Sequence, residues 1–114
     1  MSNIFDGFPS LLRISAFDVP IEISPTLSER KDDECWGEFD DRAFTITFAK
    51  DQISAPHAVD VAFHEIAHVL WKVSNLAVGD SEERIIATMA TGLAQVVRDN
   101  PDLTNWLYRM IQPK

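Results

Sequence analysis

His64, Glu65 and His68 spell H-E-I-A-H, two imidazoles four residues apart with a carboxylate between them. On a helix, residues four apart lie one turn up the same face, about 6 Å along the axis. Two rings so placed can converge on one ion at about 2.0–2.1 Å each. Zinc lowers the pKa of a bound water toward neutrality, and Glu65 is placed to take the water's proton as it attacks a carbonyl. Neutral imidazole and carboxylate donors suit a catalytic zinc site with an open position. The chain has one cysteine, Cys35, so it offers no thiolate pair.

The surrounding segment, ISAPHAVDVAFHEIAHVLWKV, has the spacing of an amphipathic helix. At 100° per residue, Val59, Ala62, Phe63, Ile66, Val69, Leu70 and Val73 form a broad apolar arc. His57, His64 and His68 gather in a narrow stripe on the opposite side, so the core does not claim them. His57 lies two turns before His64, about 10 Å along the axis, too far to share the ion. It is expected as an exposed first-turn residue. Asp60 has two readings, an outer partner for the His64 ring or an anion favoured near a helix N-terminus.

A catalytic zinc needs a third protein ligand. The candidates are Asp80, Glu82 and Glu83, at the head of GDSEERIIATMATGLAQVV. Ile86, Met89, Ala90, Leu93 and Val97 mark the expected apolar face of this second helix, and periodicity allows either glutamate to approach it. Each also has a purely local reading. Asp80 and Glu83 match a D-x-x-E capping box, and Glu82 is a first-turn carboxylate favoured by the helix dipole.

HEIAHVLW, a short connector and then EERIIATMATGLAQVVRDNP resemble the compact gluzincin-type metallopeptidases of phage and prophage genomes. Those are similar to the zinc-peptidase domain of the ImmA/IrrE type. The resemblance covers roughly Cys35 to Pro101. It implies a zincin-like fold with strands before the H-E-x-x-H helix and a third ligand, Glu, on the next long helix. Aligning Ala90 and Leu93 with the family pattern E-x-x-A-N-x-F-A-x-x-L puts Glu83 at the ligand position, with Glu82 as the alternate. Ile86 and Ala87 depart from the pattern's Ala-Asn. The resemblance further implies a phage-encoded hydrolase of peptide bonds, acting in the host cytosol, with the hairpin Cys35–Ala49 as an edge that binds an extended peptide.

Elements that could position such a site are legible along the chain. LLRISAF and IEIS alternate like strands, separated at Asp18-Val19-Pro20 because a proline interrupts pairing. CWGEFD and FTITFA read as a hairpin with Phe44, Ile46 and Phe48 on one face. Helices follow over Pro56 to about Ser74, from an Asp80 or Ser81 cap to about Asp99, and from Pro101 on. The expectation is a single α+β domain, residues 1–114, with a small, mostly antiparallel sheet over about 1–52 and three helices over about 53–114. Gly92 is read as a close approach of the second helix to the first. Tyr108 and Cys35 are read as buried packing residues.

Ten basic residues stand against 18 acidic ones, a net charge of −8, which argues against direct nucleic-acid binding. No apolar run reaches the roughly 18–20 residues of a membrane span, and no secretory pattern opens the chain. A cytoplasmic protein is therefore expected. The acidic residues Asp32, Asp33, Glu34, Glu38, Asp40 and Asp41 form a solvated rim around the hairpin. A second functional class stays open: a catalytically silent protein of the same fold, an acidic adaptor or nucleic-acid mimic of a phage, with zinc structural or absent. The N-terminal segment Met1–Ser10 is a candidate plug for the site.

Overall fold

The computed structural model describes residues 3–29 and 35–112. Asp32, Asp33 and Glu34 of the expected rim, and Met1 and Ser2 of the candidate plug, lie outside the described residues. The fold is α+β. Strands β1 (Leu11–Ile14), β2 (Phe17–Ser24), β3 (Gly37–Asp40) and β4 (Thr45–Ala49) precede helices α1 (Ala55–Val73), α2 (Glu82–Asp99) and α3 (Pro101–Met110). The sheet order is β1-β2-β4-β3. Its two outer pairings are antiparallel and the central β2–β4 pairing is parallel, so the sheet is mixed.

Two strand boundaries differ from the sequence reading. The first hairpin turns at Ser15-Ala16, with Ser15 at φ 56°, and β2 runs straight through Pro20. Residues 17–20 pair with β1 and residues 21–24 with β4. The missing proline N–H thus falls where the strand exchanges neighbours, the place that tolerates it. Phe44 leaves β4 and closes the second hairpin with φ 57°. A bulky residue is rarely left-handed; here ring contacts to Phe17 (5.3 Å) and Phe39 (5.4 Å) offset the strain. Ile46 and Phe48 keep the buried face.

One face of the sheet supplies Leu12, Ile14, Val19, Ile46 and Phe48 to the core. Against it pack Val61, Ala62, Ile66, Val69 and Leu70 of α1, Val96 of α2, and Leu103 and Trp106 of α3. Phe5 stacks between Phe48 and Trp106, at ring separations of 4.7 and 5.5 Å, and ties the N-terminal segment to this core. Segment Asn3–Ser10 is therefore a packing element over its described part.

The helix starts follow local chemistry. Ser54 accepts from the His57 N–H, with Pro56 in the first turn of α1. Ser81 accepts from the Arg84 N–H and caps α2. Asp80 does not form the capping box with Glu83; it accepts from the Ala77 N–H and pairs with Arg84, both at 2.6 Å. Gly92 does mark a close approach, since a Cβ there would stand 2.6 Å from Leu70 Cδ2 of α1. The face of α2 is turned from the expected one. Val96 is buried and Ile85 half-buried, while Ile86 and Val97 are exposed. Tyr108, expected in the core, is 64% exposed on α3. Among the described residues no helix is long and apolar enough to cross a membrane.

Candidate metal centre

Helix α1 presents His64 and His68 to solvent and turns Glu65 inward. The two Nε2 atoms stand 3.1 Å apart. At nitrogen–zinc distances of about 2.0–2.1 Å, that separation corresponds to an angle of about 95–102° at a shared ion. The pair therefore fits two positions of a four-coordinate zinc. Without an ion the same contact is a ring N–H···N hydrogen bond, its direction set by the tautomers.

Glu65 is only 5% exposed. Burial raises its carboxyl above the ordinary value, against the opposing pull of His68, then of His64. The Phe39 main chain opposes the rise, and nearby Glu38 pushes the same way as burial. Strand β3 can come this close because residue 37 is glycine. A Cβ there would stand 2.7 Å from Val61 Cγ1 and 3.1 Å from Glu65 Cγ.

Strand β3 is an outer strand of the sheet. The Ala49 N–H donates to the Trp36 carbonyl, which sets the alternation: Trp36, Glu38 and Asp40 bond toward β4, and Gly37 and Phe39 turn their main-chain groups away. Between that edge and the histidines runs a groove of about 530 Å³, its walls including Glu38, Asp41, Trp71 and Lys72. Lys72 pairs with Asp41 at 3.6 Å. Cys35 is half-buried at the same groove, with its Sγ donating to the Gly37 carbonyl at 3.3 Å.

The structure brings together His64, His68 and Glu65, but it does not bring Glu83 to them. Among the described residues no group of three or more His, Cys, Asp or Glu is gathered to hold an ion. Glu82 and Glu83 are exposed in the first turn of α2. The α2 residue that shares a wall with both histidines is Met89. At 1.5 Å and 100° per residue, Glu83 lies about 9 Å before Met89 and is turned about 120° from it. Glu82 shares Met89's side but lies about 10 Å away along the axis. His57 is remote from the pair; its ring meets Trp36 edge-on at 5.4 Å and its Nδ1 is buried without a partner. Asp60 borders a second depression with Cys35, His64 and Glu65. Gly37 and Met89 escaped the sequence reading as site residues. A glycine inside a strand pattern is itself a sign of close backbone approach, whereas nothing in the α2 pattern singles out Met89.

Comparison of the chain with family models, with curated proteins and with solved structures finds no match.

Proposed function

We propose that this protein is a zinc-dependent hydrolase of peptide bonds, a metallopeptidase of the gluzincin type, with its centre on α1. The single observation that carries the reading is the 3.1 Å convergence of the His64 and His68 nitrogens beside a buried glutamate. His64 and His68 would hold the ion. Glu83 is the expected third ligand and Glu82 the alternate, and either has to approach from the first turn of α2. When bound, zinc lowers the pKa of water toward neutrality and polarises a carbonyl.

The chain's own residues supply the rest. Glu65 accepts a proton at its carboxylate and returns it to the leaving nitrogen, and its raised pKa brings it nearer the working pH of a general base. The outward main-chain groups of Gly37 and Phe39 orient an extended peptide by strand addition.

The test starts from elemental analysis of protein purified without added metal. One zinc per chain is expected, lost in His64→Ala and kept in Glu65→Gln, with peptide cleavage abolished in both. Glu83→Ala and Glu82→Ala then identify the third ligand by which of them lowers zinc affinity. Zinc retained in His64→Ala, or cleavage retained in Glu65→Gln, overturns the reading.

That no third donor is gathered beside the pair among the described residues favours a second reading. In it the chain is a catalytically silent interaction protein of the same fold, an acidic adaptor or nucleic-acid mimic. A partner bound equally by wild type, His64→Ala and Glu65→Gln, with no cleavage of a peptide library, is its signature.

A further inference from the structure

We infer that two copies of this chain associate through the outward face of α2, packed antiparallel about a two-fold axis. The contact involves neither histidine of α1 and needs no metal. Between Arg84 and Arg98 the helix carries no charged residue. At 100° per residue, Ile86, Ala87, Ala90, Leu93, Ala94 and Val97 fall within an arc of about 120°. The core takes little of that arc. Ile86 is 54% and Val97 37% exposed, the three alanines are exposed, and Leu93 is half-buried. Helix α1 does the reverse: after its first turn, its exposed residues are Asp60, His64, His68 and Lys72, all polar. A contiguous apolar face left in water by the monomer marks an interaction surface.

The occupant follows from the order of side chains along the face. Ile86 and Val97 stand at its ends, with Ala90 and Leu93 between them. Turning one copy end for end sets Ile86 against Val97 of the second copy and Leu93 against Ala90 of the second copy. Each leucine then enters the space above an alanine. A two-fold contact requires such self-complementarity. The same turn brings the acidic start of one α2, Glu82 and Glu83, to the end of the other that carries Arg98. Arg98 bonds its neighbour Asp99 at 3.0 Å and stays 72% exposed. Parallel packing would instead set leucine against leucine and acidic turn against acidic turn. Charge also favours a second copy here. The chain carries −8, but Glu82, Glu83 and Asp99 against Arg84 and Arg98 leave α2 at −1, so two copies meet there with little repulsion. Two such helices in contact over about 27 Å bury roughly 1,000 Å² in total, the lower bound of a specific interface. A weak dimer is therefore expected, with a Kd of about 1–100 μM.

Sedimentation equilibrium of the full chain with chelator present, from about 1 μM to 1 mM, tests this. Wild type should pass from monomer to dimer within that range. Ile86→Asp and Val97→Asp, at positions that the monomer exposes, should each raise the dissociation constant about tenfold or more. Ile86→Asp should do so with an unchanged urea midpoint. Val78→Asp, at a 96% exposed position outside α2, should leave the constant unchanged. Arg98→Glu should weaken the dimer, and adding Glu83→Arg should restore it, because reversal at both ends recreates the opposed charges. A chain that stays monomeric to about 1 mM, or that dimerises as well in Ile86→Asp and Val97→Asp as in wild type, overturns the inference. Failure of the double reversal to recover affinity overturns the antiparallel packing.

Discussion

The sheet ends in two outer strands, and the molecule treats them differently. Along β1 the outward main chain is closed by neutral amides from the helices. Asn100 accepts from the Arg13 N–H and donates to the Arg13 carbonyl, both at 2.8 Å, and Gln95 accepts from the Ser15 N–H at 2.7 Å. An amide offers a donor and an acceptor together, so it satisfies a strand edge as another strand does. Along β3 the helix group beside the strand is a carboxylate, Glu65, whose Oε2 would stand 3.2 Å from a Cβ at Gly37. An ionised carboxylate only accepts, so it has no donor to return to the strand. The first edge is closed by the helices; the second is the one that the proposed function would have receive a chain.

Removing Asn100 is the strongest way to break the closed edge. The side chain is buried and also donates to the Val96 carbonyl at 2.7 Å. Asn100→Ala leaves several buried main-chain groups without a partner, for an expected loss of about 3 kcal/mol in urea unfolding. Zinc content of the folded fraction should be unchanged, since the loss lies at the other end of the sheet. A loss below about 0.5 kcal/mol would show that water satisfies this edge as well as the amide does.

Gly37→Ala probes the open edge, with a smaller effect on stability and a larger one on function. The added methyl meets Val61 Cγ1 at 2.7 Å, so β3 and α1 must separate, at a cost of about 1–3 kcal/mol. The separation moves β3 away from Glu65 without touching either histidine. Cleavage should fall while zinc stays bound. Joint loss of zinc and activity would instead place the glycine in support of the pair.

The two edges also differ in how far the sequence announces them. The histidine stripe of α1 was legible because helical periodicity separates it from the apolar arc, and both rings are solvent-facing as read. The order of elements and the close approach at Gly92 were legible for the same reason. Periodicity failed where tertiary contacts set the rotation. In α2, Leu70 against Gly92 and the amides reaching β1 turn Ile85 and Val96 inward in place of Ile86 and Val97. Glu83, read near the edge of the expected face, is turned about 120° from Met89, whereas Glu82 keeps Met89's side. Pro20 misled because a proline inside a strand is tolerated where pairing partners change, and that changeover depends on β4, more than twenty positions later.

The smallest expected effect separates the edges by pH. In metal-free protein, burial raises the Glu65 carboxyl above its ordinary 4.5, outweighing the pull of His68 and His64. Between that ordinary value and the raised one, the folded chain binds more protons than the unfolded chain. Stability therefore falls as pH rises through the window and levels off above it. Glu65→Gln carries no such proton, so its stability relative to wild type should rise across the window and then hold constant. The stability difference between Asn100→Ala and wild type should stay flat over the same range, because an amide does not titrate. Unfolding measured with chelator present at several pH values checks both. Parallel curves for wild type and Glu65→Gln would mean that the open edge holds its carboxylate as comfortably as water does, and the contrast with the closed edge would then rest on hydrogen-bond geometry alone.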